Sequence, residues 1–587
     1  MAQSKLKFFV GVDLGTTASA LSYVISNKDR LSDIEIVDTY PDESEIVSKV
    51  PSRIAFAKEN SELANDEWGF SVTGTMVQYT WFKLLLDRNV KLTEFDDESL
   101  RDLLGNGMCR TPVDKSPQDV CTAYLRCLHQ YFVHFLEKKF RPEVVKVTPV
   151  EYWVTVPAIW SDKAKSATLA AAKAAGFGSR PTDKVCLISE PEAAALAALK
   201  PHIGPDVLDP VHPDESILVC DCGGGTVDIT TYTVLNTHPE LKFQELCFGM
   251  GGKCGSTAID RNFNKWMHAT FGQAYEDVKL QRRSPGSKFM RSFESAKKNF
   301  GSNPYGGNEG KIIQVDIWMQ TRSSELYDED DGTLMLTPKL MKTFFDPVVA
   351  DVIRLVESQI SLAKNRYGKV IDRIILVGGF GDSEYLIAQM RLWCERNRGI
   401  KLTCPPHCQA AIVRGAALRG LENILPVQRK ARRHYGFSCA MPFREGIDDE
   451  RDAFFGIFEN QKYCNQRIEW VVHKDTPIDE FSMHSYPLES SLRAEQMSYH
   501  STLGLYCSEN DDAPGWCRFA QKVGEIPFSY NEADMATAEH AFNHHLQCHV
   551  KKIKMSVEVD LNAEEGVLQL KTNVGGRTSG KAQIEFE

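Results

Sequence analysis

The segment KFFVGVDLGTTASALSYV runs an apolar strand into Asp13, turns through Gly15, Thr16 and Thr17, and resumes as an alternating strand at Ala18. The plan returns at Ser216–Val234, SILVCDCGGGTVDITTYTV, with Asp221, Gly223, Gly224, Gly225 and Thr226 at its turn. Two copies of strand, acid-glycine-hydroxyl turn and strand predict a duplicated domain whose acidic turns face one cleft.

The residues around the copies fill in an α/β layered fold. VEYWVTVPAIWSDKAKSATLAAAKAAGF reads as a strand ending near Pro157 and an Ala/Lys-rich helix stopped by Gly176. KVCLISEPEAAALAAL gives a second short strand and an Ala-rich helix entered at Glu190-Pro191, where proline is tolerated in the first turn. DRIILVGGFGDSEYLIAQMRLWCERN repeats the plan with a turn at Gly378, Gly379 and Gly381 and a helix capped by Asp382 or Ser383. Strand-helix alternation of this kind indicates an α/β architecture. From about residue 430 onward short alternating stretches such as RIEWVVH, STLGLYC and KMSVEVDL predict a β-sandwich-like domain. The expected organisation is a first lobe over 1–205 with an insertion at about 45–110, a second lobe over 206–425 with an insertion at about 249–333, and a β-rich domain over 430–587. The acidic DEDDG run in the second insertion reads as a solvated loop.

A chain of 587 residues, 42% hydrophobic and 25% charged, has the composition of an ordinary soluble globular protein. It shows no unbroken apolar span of membrane length and no signal peptide, so a cytosolic or nuclear location and no membrane partner are expected. Its 16 cysteines are scattered, many within apolar runs, which suits buried thiols in a reducing compartment. Cys404, His407 and Cys408 have ligand-like spacing, but no second pair accompanies them to complete a zinc site. The net charge of -11 argues against a nucleic-acid partner, and the basic QRKARRH run reads as a solvated linker leading into a strand. His540 with His544, and His545 with His549, fall at i, i+4, the spacing that pairs side chains on a helix face and offers a transition-metal site.

Glycine-rich turns let the main chain approach a ligand closely, and their successive N–H groups form a concave anion site. Carboxylates beside such a turn repel phosphate unless a hard cation lies between them, and magnesium takes one or two carboxylates together with water and phosphate oxygens. Asp13 and Asp221 therefore point to a Mg-nucleotide, held largely through metal-bound water. The chain lacks GxxxxGK[ST], so a P-loop is not the device used.

The ordered set DLGTT, SEPEAAA, DCGGGT and LVGGFG resembles the actin-like (ribonuclease-H-like) ATPase superfamily and, within it, the 70-kDa heat-shock chaperone family over about residues 6–420. VPSRIAF, WFKLLLD and QRKARRHYGF resemble its divergent twelve-like branch. The resemblance implies ATP or ADP with Mg2+ as cofactors. It implies that Asp13 faces the metal, Thr16 and Thr17 donate to phosphates, and Lys83 reaches the γ-phosphate. Glu190 would hold a metal-bound water, and Asp221 would orient the attacking one. Gly223, Gly224, Gly225 and Thr226 would cradle the β- and γ-phosphates. Glu294, Lys297 and Lys298 would contact the adenosine, and Gly378 and Gly379 would lie beneath it. The implied function is a slowly hydrolysing, chaperone-like ATP-binding protein whose nucleotide state controls a β-rich domain that meets protein or peptide clients, with a nucleotide-exchange partner. The alternatives are an ATP-sensing scaffold without productive hydrolysis and a metabolite kinase.

Three departures stand against the family pattern. The adenosine turn reads GGFGDS, placing Phe380 and Asp382 where the main chaperones carry a small hydroxyl and a basic residue. ENILPVQRKARR replaces their acidic-leucine linker. No long helical lid is expected after the β region, and the terminal KAQIEFE differs from their acidic tail.

Overall fold

The computed structural model describes residues 6–28, 30–87, 109–203, 209–238, 241–302, 312–397, 399–405, 407–424, 427–479, 483–560 and 569–583. Parts of both expected insertions, 88–108 and 303–311, lie outside the described residues, as do 584–587 of the terminal stretch. The chain divides into two compact units, Met1–Pro426 and Val427–Glu587.

Two sheets with one plan organise the first unit. The first comprises β1 (Phe8–Asp13), β2 (Ala18–Ile25), β3 (Glu35–Ile36), β4 (Val50–Pro51), β5 (Val150–Val156) and β6 (Lys184–Ser189), ordered β3-β2-β1-β5-β6 with β4 on β2. The second comprises β7 (Ser216–Cys222), β8 (Val227–Asn236), β9 (Lys242–Gly252), β10 (Arg373–Val377) and β11 (Lys401–Thr403), ordered β9-β8-β7-β10-β11. In each, the strand carrying the acidic turn pairs antiparallel with the next strand and parallel with a strand far along the chain. The parallel strands read as nearly continuous apolar runs because neither face meets water, as in β7, where every residue is buried.

The acids are placed by register. Asp13 is the last residue of β1, opposite Ala20, and Asp221 is the penultimate residue of β7, opposite Asp228. Helix starts follow the local signals. In α1 (Asp162–Ala175) Ser161 caps the N-terminus and Gly176, at φ 111, closes the C-terminus. Ser189 caps α2 (Glu190–Leu199) by accepting from Glu192 N. Later in the chain come α3 (Lys288–Asn299), α4 (Glu384–Arg396) and α5 (Ala411–Glu422), and it is Ser383, not Asp382, whose side chain caps α4.

α2 and α5 are packed into one core with residues of both sheets, including Trp153, Ile188, Ile217, Val219, Ile375 and Val377. They cross where Gly415 meets Ala193. A Cβ on Gly415 would lie 2.5 Å from the Ala193 carbonyl carbon, so only glycine permits this separation.

The second unit is β-rich. One five-stranded sheet is built on His434–Pro442, Lys462–Val472, Tyr499–Ser508 and Gln521–Tyr530, and another on Met483–Arg493, Cys548–Asp560, Gln569–Val574 and Arg577–Gln583. Residues of both, among them Phe437, Ile526, Phe528, Val557 and Leu570, share a core.

Two expectations change here, and a third, the solvated loop at DEDDG, gains detail. The histidine pairs are not on a helix: His540 lies in strand Glu539–Asn543, His544 and His545 in the following turn, and His549 in the next strand, so i, i+4 spacing does not place them on a common face. The basic run is not only a linker, because Gln428–Lys430 pairs as a strand with Pro477–Asp479 and Arg433 makes an ion pair with Glu509 at 2.6 Å. The DEDDG run closes a hairpin, in which Asp328 Oδ1 accepts from the N–H groups of Asp330 and Asp331. No helix among the described residues is long and apolar enough to cross a membrane.

Candidate functional site

The two acidic turns meet. A Cβ on Gly224 would lie 2.7 Å from Thr17 Cγ2, and one on Gly225 would lie 2.9 Å from Thr16 Cβ. Glycine in one turn therefore makes room for the hydroxyl residues of the other. The cleft they enclose has a volume of about 1030 Å3 and is lined by Asp13, Gly15, Thr16, Thr17, Lys83, Glu190, Asp221, Gly223, Gly224, Gly225, Thr226, Glu294, Lys297, Lys298, Gly378 and Gly379. All the residues that the resemblance assigns to the nucleotide and its metal share this one cleft.

Lys83 reaches it through an unusual turn. Trp81 takes a left-handed backbone (φ 56), uncommon for a bulky residue, just before the 3-10 turn Phe82–Asp87. Asp87 accepts from Ser161 Oγ at 2.6 Å and lies 3.6 Å from the ammonium of Lys253, which pins the turn from both sides. Lys83 is buried, not exposed on an amphipathic helix, and its Nζ lies 2.6 Å from Glu190 Oε1.

The charges in the cleft are unevenly matched. Burial raises Glu190 to about 7, against the pull of Lys83 and with the push of Asp228 and Asp13. Asp221 is raised well above the ordinary carboxylate range by burial and then by Glu190, Asp228 and Asp13. Its Oδ1 is buried with no hydrogen-bond partner among the described residues. Asp13 goes the other way: burial would raise it, but Lys49, Lys83 and the hydroxyl of Thr155 hold it below its usual value. Lys49 Nζ lies 3.0 Å from Asp13 Oδ2, and Thr155 Oγ1 donates to Oδ1 at 2.9 Å.

Sequence reasoning missed Lys49, Thr155 and Asp228. Asp228 was within reach, because it follows the DCGGGT turn at the position that the hairpin sets opposite Asp221. Lys49 carried no local signal.

On the opposite wall, Lys297 is held between Asp260, at 2.9 and 3.0 Å, and Glu294, at 2.6 Å, while Lys298 extends into solvent. Arg53, whose guanidinium is lowered to about 10 by burial and by Arg291, adds positive charge to the rim. Phe380 is buried in the second sheet's core, and Asp382 accepts from Cys408 Sγ at 3.3 Å. Cys408 thus serves the GGFG turn. Among the described residues no three His, Cys, Asp or Glu side chains converge as a direct metal site.

These features suit a polyphosphate with a hydrated divalent cation: a bare acidic oxygen, glycines that a Cβ would close, hydroxyls and a buried ammonium. Gly378 is among the tightest of the cradle glycines. It has φ +88, and a Cβ there would press on Asp221 Oδ1 and lie 2.7 Å from the Cys222 carbonyl carbon. Gly378→Ala is expected to weaken nucleotide binding by about tenfold or more, since strain and steric overlap fall on the acid itself. Fluorescent-nucleotide titration checks this, and unchanged affinity would mean that the turn does not set the position of Asp221.

A family model described as Hsp70 protein matches residues 9–383. Heat shock 70 kDa protein 12A of Homo sapiens is 22% identical over 427 residues, covering 62% of this chain and 61% of that protein. Heat shock 70 kDa protein 12B of Homo sapiens is 23% identical over 462 residues, covering 67% and 65%. Chaperone protein DnaK of Thermosipho melanesiensis is 24% identical over 382 residues, covering 64% and 53%. The chain thus spans less than two thirds of the length of each of these relatives.

Proposed function

The chain belongs to the Hsp70 family, and from that premise we propose that its first unit is a Mg-ATP clamp that hydrolyses ATP slowly and signals its nucleotide state to the β-rich unit. The observation that carries this reading is the meeting of the two turns, Thr16 and Thr17 against Gly224 and Gly225, around the bare oxygen of Asp221.

Asp221 and Asp13 would hold Mg2+ through its water shell, and the metal would neutralise phosphate charge during transfer to water. The chain's own residues do the rest. The turn N–H groups and hydroxyls orient the phosphates, Lys83 adds charge at the terminal one, and Glu190 and Asp221 hold and deprotonate water. A terminal phosphate touching both turns favours a closed cleft, and its loss releases it. The second unit, read as β-sandwich-like, would meet protein or peptide clients, with an exchange partner acting on the first and neither nucleic acid nor membrane involved. We place the protein in the cytosol or nucleus.

One observation favours the second reading, ATP held without turnover: Lys83 and Lys49 are already paired with Glu190 and Asp13. Single-turnover hydrolysis separates the two. Slow phosphate release from wild type that falls with Lys83→Met supports the ATPase, binding without release supports the scaffold, and release only on adding a sugar supports a metabolite kinase.

The pH dependence has a definite sign. Glu190 and Asp221 are raised in the folded protein, so their contribution to stability is full below their ordinary values and is lost as pH rises through the folded ones, about 7 for Glu190. Holding a cation requires the ionised forms. Mg-ATP affinity is therefore expected to rise between about pH 6 and pH 8, by up to about tenfold per unit for each proton displaced. Calorimetry in buffers of different ionisation enthalpy counts those protons, and a flat profile with no proton release would contradict it.

A further inference from the structure

Lys49 stands directly before β4, which pairs antiparallel with Ala18 and Ser19. Ser52 N donates to Thr17 O at 2.9 Å, so this short strand is stitched to the first phosphate turn itself. Its ammonium is set on Asp13 Oδ2 at 3.0 Å, with 16% of the lysine side chain and 3% of the aspartate exposed. Asp38, Glu43 and Glu45 line the same cleft, yet the ion pair is made with Asp13. Thr155 occupies the other carboxylate oxygen. Both oxygens of Asp13 are thus served by the chain, whereas Asp221 keeps a bare oxygen. The two jaws are not equivalent: at Asp13 both carboxylate oxygens are taken and an ammonium is in contact, whereas Asp221 feels Lys49 only through space and keeps an oxygen that no donor meets among the described residues.

We infer that Lys49 is a resident counter-ion of the cleft, supplying at the Asp13 jaw part of the positive charge that a divalent cation brings, so that the affinity for a nucleoside triphosphate depends less on Mg2+ than it would without Lys49. This rests on the nucleotide reading above. An ammonium that lines the same cleft as the first turn's hydroxyls would meet triphosphate oxygens as a charge-assisted donor. It is a binding and positioning residue, and water handling stays with Glu190 and Asp221.

Calorimetric titration of the full chain with ATP, in magnesium and in EDTA, tests this on wild type, Lys49→Met and Lys49→Arg. Wild type and Lys49→Arg are expected to lose at least about tenfold less affinity than Lys49→Met when magnesium is removed. If wild type and Lys49→Arg lose binding in EDTA, the inference is overturned, whether or not Lys49→Met folds. It is equally overturned if Lys49→Met melts like wild type and loses no more affinity in EDTA than wild type does. No binding by wild type even with magnesium would remove the nucleotide reading instead.

Discussion

Lys83→Met is expected to destabilise the folded protein by about 3–5 kcal/mol at alkaline pH, above the value of about 7 to which Glu190 is raised, and by less towards acid. The lysine and Glu190 are both buried, with 4% and 8% of their side chains exposed, and their charged atoms are 2.6 Å apart. Removing the ammonium leaves Glu190 with Asp13 and Asp228, the carboxylates that already help to raise it, and with Asp221, which Glu190 raises in turn. Glu190 escapes by taking a proton, which is easier at low pH, so the cost shrinks as pH falls. Urea unfolding at about pH 5.5 and pH 8 reads this directly. The double variant Lys83→Met with Glu190→Gln should recover part of the loss, because it removes the stranded charge. Stability equal to wild type at both pH values, or a larger loss in acid, would contradict the assignment. Hydrolysis should fall by about 10²–10³, the usual cost of losing one electrostatic stabiliser of a transition state.

Gly415→Ala is expected to cost as much as or more than the upper end of the usual penalty for overfilling a core, about 1–3 kcal/mol. The new methyl meets Ala193 through backbone atoms, the carbonyl carbon at 2.5 Å and the Cα at 3.0 Å, so no rotamer change relieves it. The neighbouring interface is equally tight, since a Cβ on Gly11 of β1 would press on the Val413 carbonyl. α2 and α5 therefore cannot separate locally without disturbing the core they share with both sheets. Gly379→Ala is the control: a Cβ there meets none of the described residues within 4 Å, and its effect on stability should stay within about 0.5 kcal/mol. Denaturation midpoints decide, and equal midpoints for the two variants would mean that the helices do not cross as closely as described.

Much of this was legible before any coordinates. Strands announce themselves by runs and alternation, turns by glycine and hydroxyls, and helix starts by serine and proline, all within a few residues. DLGTT, SEPEAAA, DCGGGT and LVGGFG are local signals of that kind, and the family match over residues 9–383 agrees with the resemblance they suggest. Lys49 was invisible because its meaning comes from a contact 36 residues away, set by the pairing of β4 with β2. The histidine pairs misled for the opposite reason. Their spacing suits a helix, but residues 544–547 form a turn, with Gln547 at φ 51, between two paired strands. Cross-strand partners decided the outcome there, and spacing along the chain says nothing about them.

The central claim, that the two acidic turns form a Mg-nucleotide clamp, is tested most directly by titrating wild type and Asp221→Asn with ATP in magnesium by calorimetry, alongside their melting temperatures. Asp221 is a buried carboxyl with a bare oxygen, raised by burial and its acidic neighbours. Its neutral isostere should therefore melt at a higher temperature while binding Mg-ATP at least about tenfold more weakly. Wild type that takes up no nucleotide, or an Asp221→Asn protein that binds as tightly as wild type, would contradict the clamp.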